Sequence, residues 1–425
     1  MLPDLCAVAL LTCAFSSIAR RGRTRASNLW LVGWTLIALH FAAFMFSSLP
    51  GNWGAFASVI GFNALAWAGV LFMCACVPYR TRLSSRWMLV VLLATNTLYI
   101  SLIATVPHAI WALRTAAILY AALPLTVALL ALRRGFTHPL RWAVVALYSL
   151  LAVFLLAVQQ RSPNGPDWAY DAVIFAVYFG CCFHFWYAFR RATAGAFVTL
   201  AGFAAWTAVF IVAPLMAAYQ PAVHVQSEIW NLPKYVVAVG MLLLLLEDQI
   251  EYNKYLALHD ELTGLPNRRL FLDRMNGALE RARRNGTRAA LLLIDLNHFK
   301  QVNDSVGHHI GDLLLQRVSS LFLKRVRRSD TVARTGGDEF CIILEEPTSR
   351  AEAERVGDSL IRLLGEPLQL ENHRIVIGAS VGMAVYPDDA NSAESLRIAA
   401  DRSMYAVKHI ARDRVAGEAA AQGLN

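Results

Sequence analysis

The chain has 425 residues, 57% of them hydrophobic and only 16% charged, with a mean hydropathy of +0.45. These values exclude a wholly soluble protein, and the length leaves room for about two or three domains. The net charge of +9 raises a nucleic-acid partner, but much of the arginine lies in short clusters between apolar runs, which argues against one.

From Leu5 to Leu246 the sequence is a series of apolar runs, each about 20 residues, the thickness of a bilayer. Nine spans are predicted, at 3–19, 27–48, 54–77, 87–106, 109–132, 142–159, 168–189, 194–217 and 232–246. Only Pro107 and His108 separate the fourth from the fifth, and the ninth is short unless it begins a few residues before Leu232. The clusters "RRGRTR", "YRTRLSSR", "RRGFTHPLR" and "FRR" follow the first, third, fifth and seventh runs, while the alternate loops carry few basic residues. That alternation predicts an N-terminus outside and a C-terminal domain in the cytoplasm, which requires an odd number of spans. Asp4 and the lack of a basic n-region predict a first helix that stays in the membrane rather than a cleaved signal.

The seven cysteines show neither a disulfide framework nor zinc spacing. Cys6, Cys13, Cys74, Cys76, Cys181 and Cys182 fall in apolar runs, and Cys341 follows the stretch "RTGGDEF". With His40 and His184, the cysteines at 74, 76, 181 and 182 suit either a metal or haem site in the bilayer or plain helix packing, and packing is the expectation. Arg114 and Asp171 are intramembrane charges, costly and often functional unless they reach an interface.

Residues 247–259 are predicted to continue the last membrane helix as a short connector, with no room for another sensor domain. Beyond it, "RRLFLDRMNGALERARR" suits a helix and "AALLLIDL" a buried strand. "GDLLLQRVSSLFLKRV" suits a helix, two strands flank the turn in "RTGGDEF", and "SRAEAERVGDSLIRLLG" forms a third amphipathic helix. "HRIVIGASVGMAVY" supplies one or two strands and "ESLRIAADRSMYAVKHIA" a last helix, so a helix-backed sheet of α/β or α+β type is expected.

The chemistry gathers around "RTGGDEF". Its glycines permit positive φ and close approach, and its acids suit a hard cation. Asp295 ends the first strand. If that strand neighbours the hairpin, carboxylates from separate elements converge at one edge, where Mg²⁺ and a triphosphate could sit; alone, Asp295 also suits a strand-end cap. Asn303 and Asp312 offer an amide and a carboxylate for a base edge, and guanine would suit the carboxylate. Lys300 lies just beyond the strand end. Lys408 and Arg412 share a helix face, either as a solvated basic edge or as a phosphate clamp.

Five motifs in order, "DELTGLPNRR", "DLNHFKQVNDSVGHHIGD", "RRSDTVARTGGDEF", "GASVGMAVYPDD" and "ADRSMYAVK", make the region from about Asp260 to Val415 resemble a GGDEF domain, the catalytic domain of diguanylate cyclases. The resemblance divides the chain into a membrane region 1–246, a connector 247–259, a catalytic domain 260–415 and a tail 416–425. It implies an α-helical membrane bundle followed by an α+β domain similar to nucleotide cyclases and the polymerase palm. The implied reaction joins two GTP into cyclic di-GMP and two pyrophosphates at a bacterial inner membrane. By resemblance, Asp295, the carbonyl of Leu296, Asp338 and Glu339 would bind Mg²⁺, two ions per site, with Mn²⁺ as the alternative. Asp338 would also help deprotonate the ribose hydroxyl. Asn303 and Asp312 would hold guanine, with His308 near the substrate. Backbone at His298 and Phe299 would cradle phosphate, Lys300 would stabilise charge on the α-phosphate, and Lys408 and Arg412 would meet the outer phosphates. Each domain would bind one GTP, so catalysis would need an antiparallel homodimer. Arg327 and Asp330 match the family's RxxD site, where cyclic di-GMP inhibits.

Departures from the pattern are few. Asn297 stands where a second aspartate is common, and Ala411 and Asp413 replace the usual glycine and asparagine of the closing "GRN", which bears on a local turn. No EAL-type phosphodiesterase domain is expected, because the chain stops at Asn425. The competing readings are a non-catalytic nucleotide receptor, a relative joining GTP to ATP, and a transporter with a regulatory domain. Intact Asp295, Lys300, Asp338 and Glu339 oppose the first, Asp312 the second, and the lack of paired broken helices the third.

Overall fold

In the computed structural model of the protein, the described residues are 2–21, 25–76, 84–106, 109–132, 146, 149–151, 153–157, 165–189, 193–223 and 225–422. The chain divides into two compact units, Met1–Ile250 and Glu251–Asn425.

The first unit is helical. Its helices are α1 (Leu2–Arg21), α2 (Arg25–Met45), α3 (Asn52–Cys76), α4 (Ser84–Thr105), α5 (Ile110–Leu132), α6 (Gly165–Ala188) and α7 (Ala194–Tyr219); α8 (Ser227–Leu258) begins here and ends in the second unit. Most of the predicted sixth span, 142–159, lies outside the described residues. Five stretches are long and apolar enough to cross a membrane: Ala26–Met45, Asn52–Cys76, Asp167–Ala188, Ala194–Tyr219 and Glu228–Leu258. Leu2–Ile18, Leu93–Thr105 and Ile110–Tyr120 are apolar but shorter among the described residues, below the roughly 20 that a full crossing takes. Among the described residues, length and composition therefore support five candidate spans, and the predicted nine are not confirmed.

The interior of this unit is aromatic. Trp34 packs between Phe15 at 5.8 Å and Phe72 at 5.5 Å, and Trp206 lies 4.1 Å from Tyr178. Small residues let α7 and α8 approach closely, as expected where packing rather than water drives association. A Cβ on Gly202 would fall 2.8 Å from the backbone nitrogen of Val237, and one on Gly240 would fall 2.5 Å from that of Thr199. The last helix starts at Ser227, ahead of the predicted Leu232, and runs through "EDQIEYNKYLAL" without a break.

The second unit is a four-stranded antiparallel sheet in the order β2 (Thr331–Arg334), β3 (Glu339–Glu345), β1 (Ala289–Leu296), β6 (Ala379–Tyr386). A small hairpin of β4 (Leu368–Leu370) and β5 (His373–Ile375) stands apart. Strand alternation sends Leu291 of β1 with Cys341 and Ile343 of β3 to one face, beneath α9 (Arg268–Asn285) and α13 (Ala393–Gln422). Ala290, Leu292, Ile294 and Leu296 face the other way, where α11 (His308–Arg325) and α12 (Arg350–Leu364) complete the larger core. The arrangement is α+β, with helices on both faces.

Local chemistry explains the boundaries. Asn267 caps α9 by accepting from the amides of Arg269 and Leu270, and Gly286 ends it at φ 66°. Ser349 caps α12. The short helix α10 (Phe299–Val306) and strand β4 are not apparent in the sequence pattern, since each is too brief for its periodicity to register. The final helix passes Ala411 and Asp413 and continues to Gln422, through the predicted tail. The alanine-rich "AGEAAAQ" favours helix, and no glycine stands at 411 to end it.

Candidate active site

The site forms where β1 and β3 end together. Asp295 and Glu339 are register partners across the two strands, so both carboxylates leave the same face of the sheet. The next rung is backbone only: Leu296 N donates to the Asp338 carbonyl at 3.2 Å. From the α13 side, Lys408 Nζ lies 2.9 Å from Asp295 Oδ1. The backbone of Arg412 follows one turn later on the same helix, while its side chain lies outside the described residues.

The turn between β2 and β3 is held by Arg334, to which sequence reasoning gave no role. Its Nη1 donates to both carboxylate oxygens of Asp260, at 2.9 and 3.1 Å, and its Nε and Nη2 donate to the Gly337 carbonyl at 3.1 and 2.7 Å. One guanidinium thus ties the start of the domain to the glycine turn. Burial acts to raise the Asp260 carboxyl pKa, but the Thr263 hydroxyl and amide with Arg334 outweigh it and hold it below the usual carboxylate range.

Beyond β1 the chain turns through His298 at φ 62° and enters α10, whose N-terminus has no side-chain cap. The first amides of that helix, around Phe299 and Lys300, are free of side-chain acceptors and suit an anion such as phosphate. Lys300 is exposed on this first turn. Asn297 is held by its amide on the Gly378 carbonyl at 2.8 Å and by its side chain, which accepts from Ser380 at 2.9 Å.

Gly307, at φ 91°, folds α10 back against α11. Asn303 of α10 thereby lies over Gly311, next to Asp312: a Cβ at Gly311 would fall 1.8 Å from Asn303 Oδ1. That oxygen is buried and has no hydrogen-bond partner among the described residues. It is the sort of unsatisfied acceptor that a base amine would complete. Asp312 is exposed beside it, and His308 opens α11, exposed, one turn earlier.

The donor set at this edge suits Mg²⁺. Among the described residues, no group of three or more His, Cys, Asp or Glu side chains converges as a closed metal cage. Mg²⁺ does not require one: it binds through one or two carboxylates plus water and substrate phosphates. Asp295 opposite Glu339 supplies that donor set, and the Lys408 ammonium on Asp295 marks the place as one that attracts a cation. The residues fit.

The RxxD pair lies elsewhere, after α11. Asp330 accepts from the amides of Arg327 at 2.8 Å and Glu345 at 3.1 Å, so both its oxygens are engaged by backbone. Burial raises its pKa above the ordinary aspartate value despite those bonds. The Arg327 guanidinium extends to Glu352 Oε1 at 2.6 Å. A cavity of about 220 Å³ runs from Glu339 along the α13 side of the sheet, lined among others by Arg268, Thr335, Cys341, Arg397 and Asp401. Burial pushes the Cys341 thiol up to about 11.

In the membrane-like unit the sequence candidates turn inward to backbone. His40 Nδ1 pairs with the Gly61 carbonyl at 2.9 Å, Cys181 with that of Gly69 at 3.1 Å, and His184 with that of Gly180 at 2.8 Å. Arg114 is exposed on α5 and Asp171 half-buried on α6. The densest buried polar group is one that sequence reasoning did not single out. Asp4 Oδ1 accepts from Asn231 at 3.2 Å and Tyr235 at 2.8 Å, and Lys234 donates to Asn231 Oδ1 at 2.6 Å. Lys234 is 7% exposed and sits 4.8 Å above the Phe41 ring. A single lysine and a single aspartate in otherwise apolar runs were the available signal.

Residues 257–414 match the family described as diguanylate cyclase, GGDEF domain. The bifunctional diguanylate cyclase/cyclic di-GMP phosphodiesterase MucR of Pseudomonas aeruginosa is 45% identical over 160 residues, 37% of this chain and 23% of that protein. Diguanylate cyclase TpbB of the same organism is 38% identical over 168 residues, 39% of each. Among solved structures, the coiled coil and GGDEF domain of DgcB from Caulobacter crescentus in complex with c-di-GMP matches with 26% identity and a TM-score of 0.40, covering 42% of this chain and 95% of that one. The chain thus spans between about a quarter and two-fifths of the length of these curated relatives. Over residues 257–414, this chain carries a GGDEF domain of the diguanylate cyclase family.

Proposed function

We propose that the protein is a membrane-embedded diguanylate cyclase that condenses two GTP into cyclic di-GMP and two pyrophosphates. The observation that carries this reading is Asp295 opposite Glu339 at a strand edge flanked by Lys408 and by the uncapped N-terminus of α10. Carboxylates, an ammonium and free amides at one edge are what a triphosphate requires.

Asn303 and Asp312 take the guanine, with His308 close by. The amides at His298 and Phe299 and the Lys300 ammonium meet the phosphates near the reacting centre, and Lys408 and Arg412 meet the outer ones. Asp295, the Leu296 carbonyl, Asp338 and Glu339 would hold Mg²⁺ or Mn²⁺, which when bound neutralises the triphosphate and lowers the pKa of the attacking hydroxyl. In each half-reaction the 3′-oxygen of one GTP bonds to the α-phosphorus of the other, the α–β bridge breaks, and pyrophosphate leaves. The hydroxyl proton passes to a carboxylate, for which Asp338 is the candidate.

One domain presents one such edge, so the two nucleotides react only where two domains face each other as a homodimer. The arginine clusters between apolar runs support a GGDEF domain on the cytoplasmic side of a bacterial inner membrane. The helical region then acts by setting how often the domains meet, and Arg327 with Asp330 binds the product to limit its own synthesis.

The test is GTP turnover by the full-length protein in nanodiscs with Mg²⁺, beside Glu339→Ala, with products separated chromatographically. Cyclic di-GMP from the wild type and none from the variant is the expected result. GTP binding without product, persisting when the soluble domain is forced to dimerise, would overturn the cyclase reading in favour of a nucleotide receptor.

A further inference from the structure

The Arg327 guanidinium is the group through which an anionic cyclic dinucleotide would be held, yet it is already engaged. Its Nη2 donates to Glu352 Oε1 at 2.6 Å. The other oxygen of that carboxylate is gripped independently by Thr348, through the amide at 2.7 Å and the hydroxyl at 2.6 Å. Glu352 is the third residue of α12, whose cap Ser349 accepts from the Glu352 amide at 3.3 Å. A negative side chain in the first helical turn is favoured by the helix dipole. Glu352 therefore stays ionised and oriented whether or not Arg327 contacts it. The Thr348 hydrogen bonds above all, with Arg327, keep its carboxyl below the usual range.

The other acids nearby are spoken for. Asp330 uses both oxygens on backbone amides, and Glu345 uses both on Arg281, at 2.6 and 3.1 Å. Among the described residues Glu352 is the acid that hydrogen-bonds the Arg327 guanidinium, while Asp330 feels its charge and bonds only the Arg327 backbone amide. The pair is lopsided in exposure, with Arg327 at 63% and Glu352 at 19%, so the arginine can swing away while the glutamate stays.

We propose that Glu352 is a built-in competitor of cyclic di-GMP at Arg327. It neutralises the guanidinium in the free chain and must release it before product binds, so it sets the product concentration at which synthesis stops. This presupposes the product-site reading of Arg327 given above. A chain with an apolar or neutral residue at 352 would shut off at lower product.

The experiment is calorimetric titration of cyclic di-GMP into the full-length protein in nanodiscs, comparing wild type, Arg327→Ala, Glu352→Gln and Glu352→Ala. The Gln variant keeps an acceptor for Thr348 and nearly the same shape, and its melting temperature is followed alongside. Removing an exposed ionic competitor should tighten binding about 1.5- to 5-fold. The Ala variant should tighten it at least as much. The gain should shrink at high salt, where the wild-type pair is screened. If Arg327→Ala abolishes binding but both Glu352 variants bind as the wild type does or more weakly, Glu352 is not a competitor. If wild type binds no cyclic di-GMP, or Arg327→Ala binds unchanged, the product-site reading itself fails.

Discussion

Lys408 Nζ stands 2.9 Å from Asp295 Oδ1, joining the last helix of the domain to the end of its central strand. With side chains 35% and 20% exposed, the pair is too wet to contribute much to folding. Its consequence lies in the chemistry: the ammonium rests on the carboxylate that would receive a metal, at the edge where the proposed triphosphate would lie.

Lys408→Met should accordingly change the melting temperature little, since exposed ion pairs contribute about 0–1 kcal/mol. It should lower kcat/KM for GTP by about 10- to 100-fold, the equivalent of losing one charge-assisted contact of roughly 1.5–3 kcal/mol. Steady-state kinetics beside a thermal melt would check both. A large loss of stability with unchanged turnover would make Lys408 a structural residue.

Arg334 is a stronger structural element, because its side chain is only 12% exposed and it fastens Asp260 to the glycine turn. Arg334→Ala should destabilise the domain by about 2–3 kcal/mol, as expected for charged hydrogen bonds, and loosen the turn that carries Asp338. The same contact has a pH signature. A carboxyl with a depressed folded pKa contributes stability above its unfolded value, about 3.9 for Asp, and loses it as pH falls through the folded one. Asp330, with a raised folded pKa, does the reverse and favours the folded state only at lower pH. Acid titration of Arg334→Ala should show a shallower loss of stability below about pH 4 than the wild type.

Gly382 lies in β6 where α13 crosses. A Cβ there would fall 2.2 Å from the Ala400 carbonyl and 2.4 Å from the Met404 nitrogen, both backbone atoms that cannot step aside singly. Gly382→Ala should displace the helix bearing Lys408 and cost about 1–3 kcal/mol, the usual range for overpacking. Denaturant unfolding of the soluble domain would measure it.

The Asp4–Asn231–Lys234 chain joins α1 to α8 inside the helical unit. Asn231 stands between the two charges, so removing either leaves a buried polar group short of a partner, which typically costs about 1–3 kcal/mol. Asp4→Asn and Lys234→Met should each destabilise the protein in detergent, while the double variant recovers much of the loss. Additive effects would mean that the two charges do not act as a pair.

Periodicity and turn chemistry made much of the GGDEF domain legible. "AALLLIDL" reads as a strand and is β1 from end to end, and the glycine turn falls between β2 and β3 as its letters suggest. These are local properties: side-chain alternation and the φ freedom of glycine act within a few residues. The three-residue strand β4 and the two-turn helix α10 carry too few side chains at their own period, 2 and 3.6, for a pattern to register. The helical unit was legible as apolar runs, and less so as a count of spans, since run length alone does not say where an apolar helix stops being long enough to cross.

By itself the sequence determined that an apolar helical region precedes a GGDEF domain, and which side chains carry charge or amide chemistry. It did not pair them. Asp295 with Glu339, Arg334 with Asp260, Asn303 over Gly311, Arg327 with Glu352 and Asp4 with Asn231 became neighbours only through sheet register and helix packing. Register depends on burying one face of each strand, and packing on how helices whose contacting residues lie up to 231 apart fit their small and large side chains together. Those are properties of the whole folded chain, and no local stretch contains them.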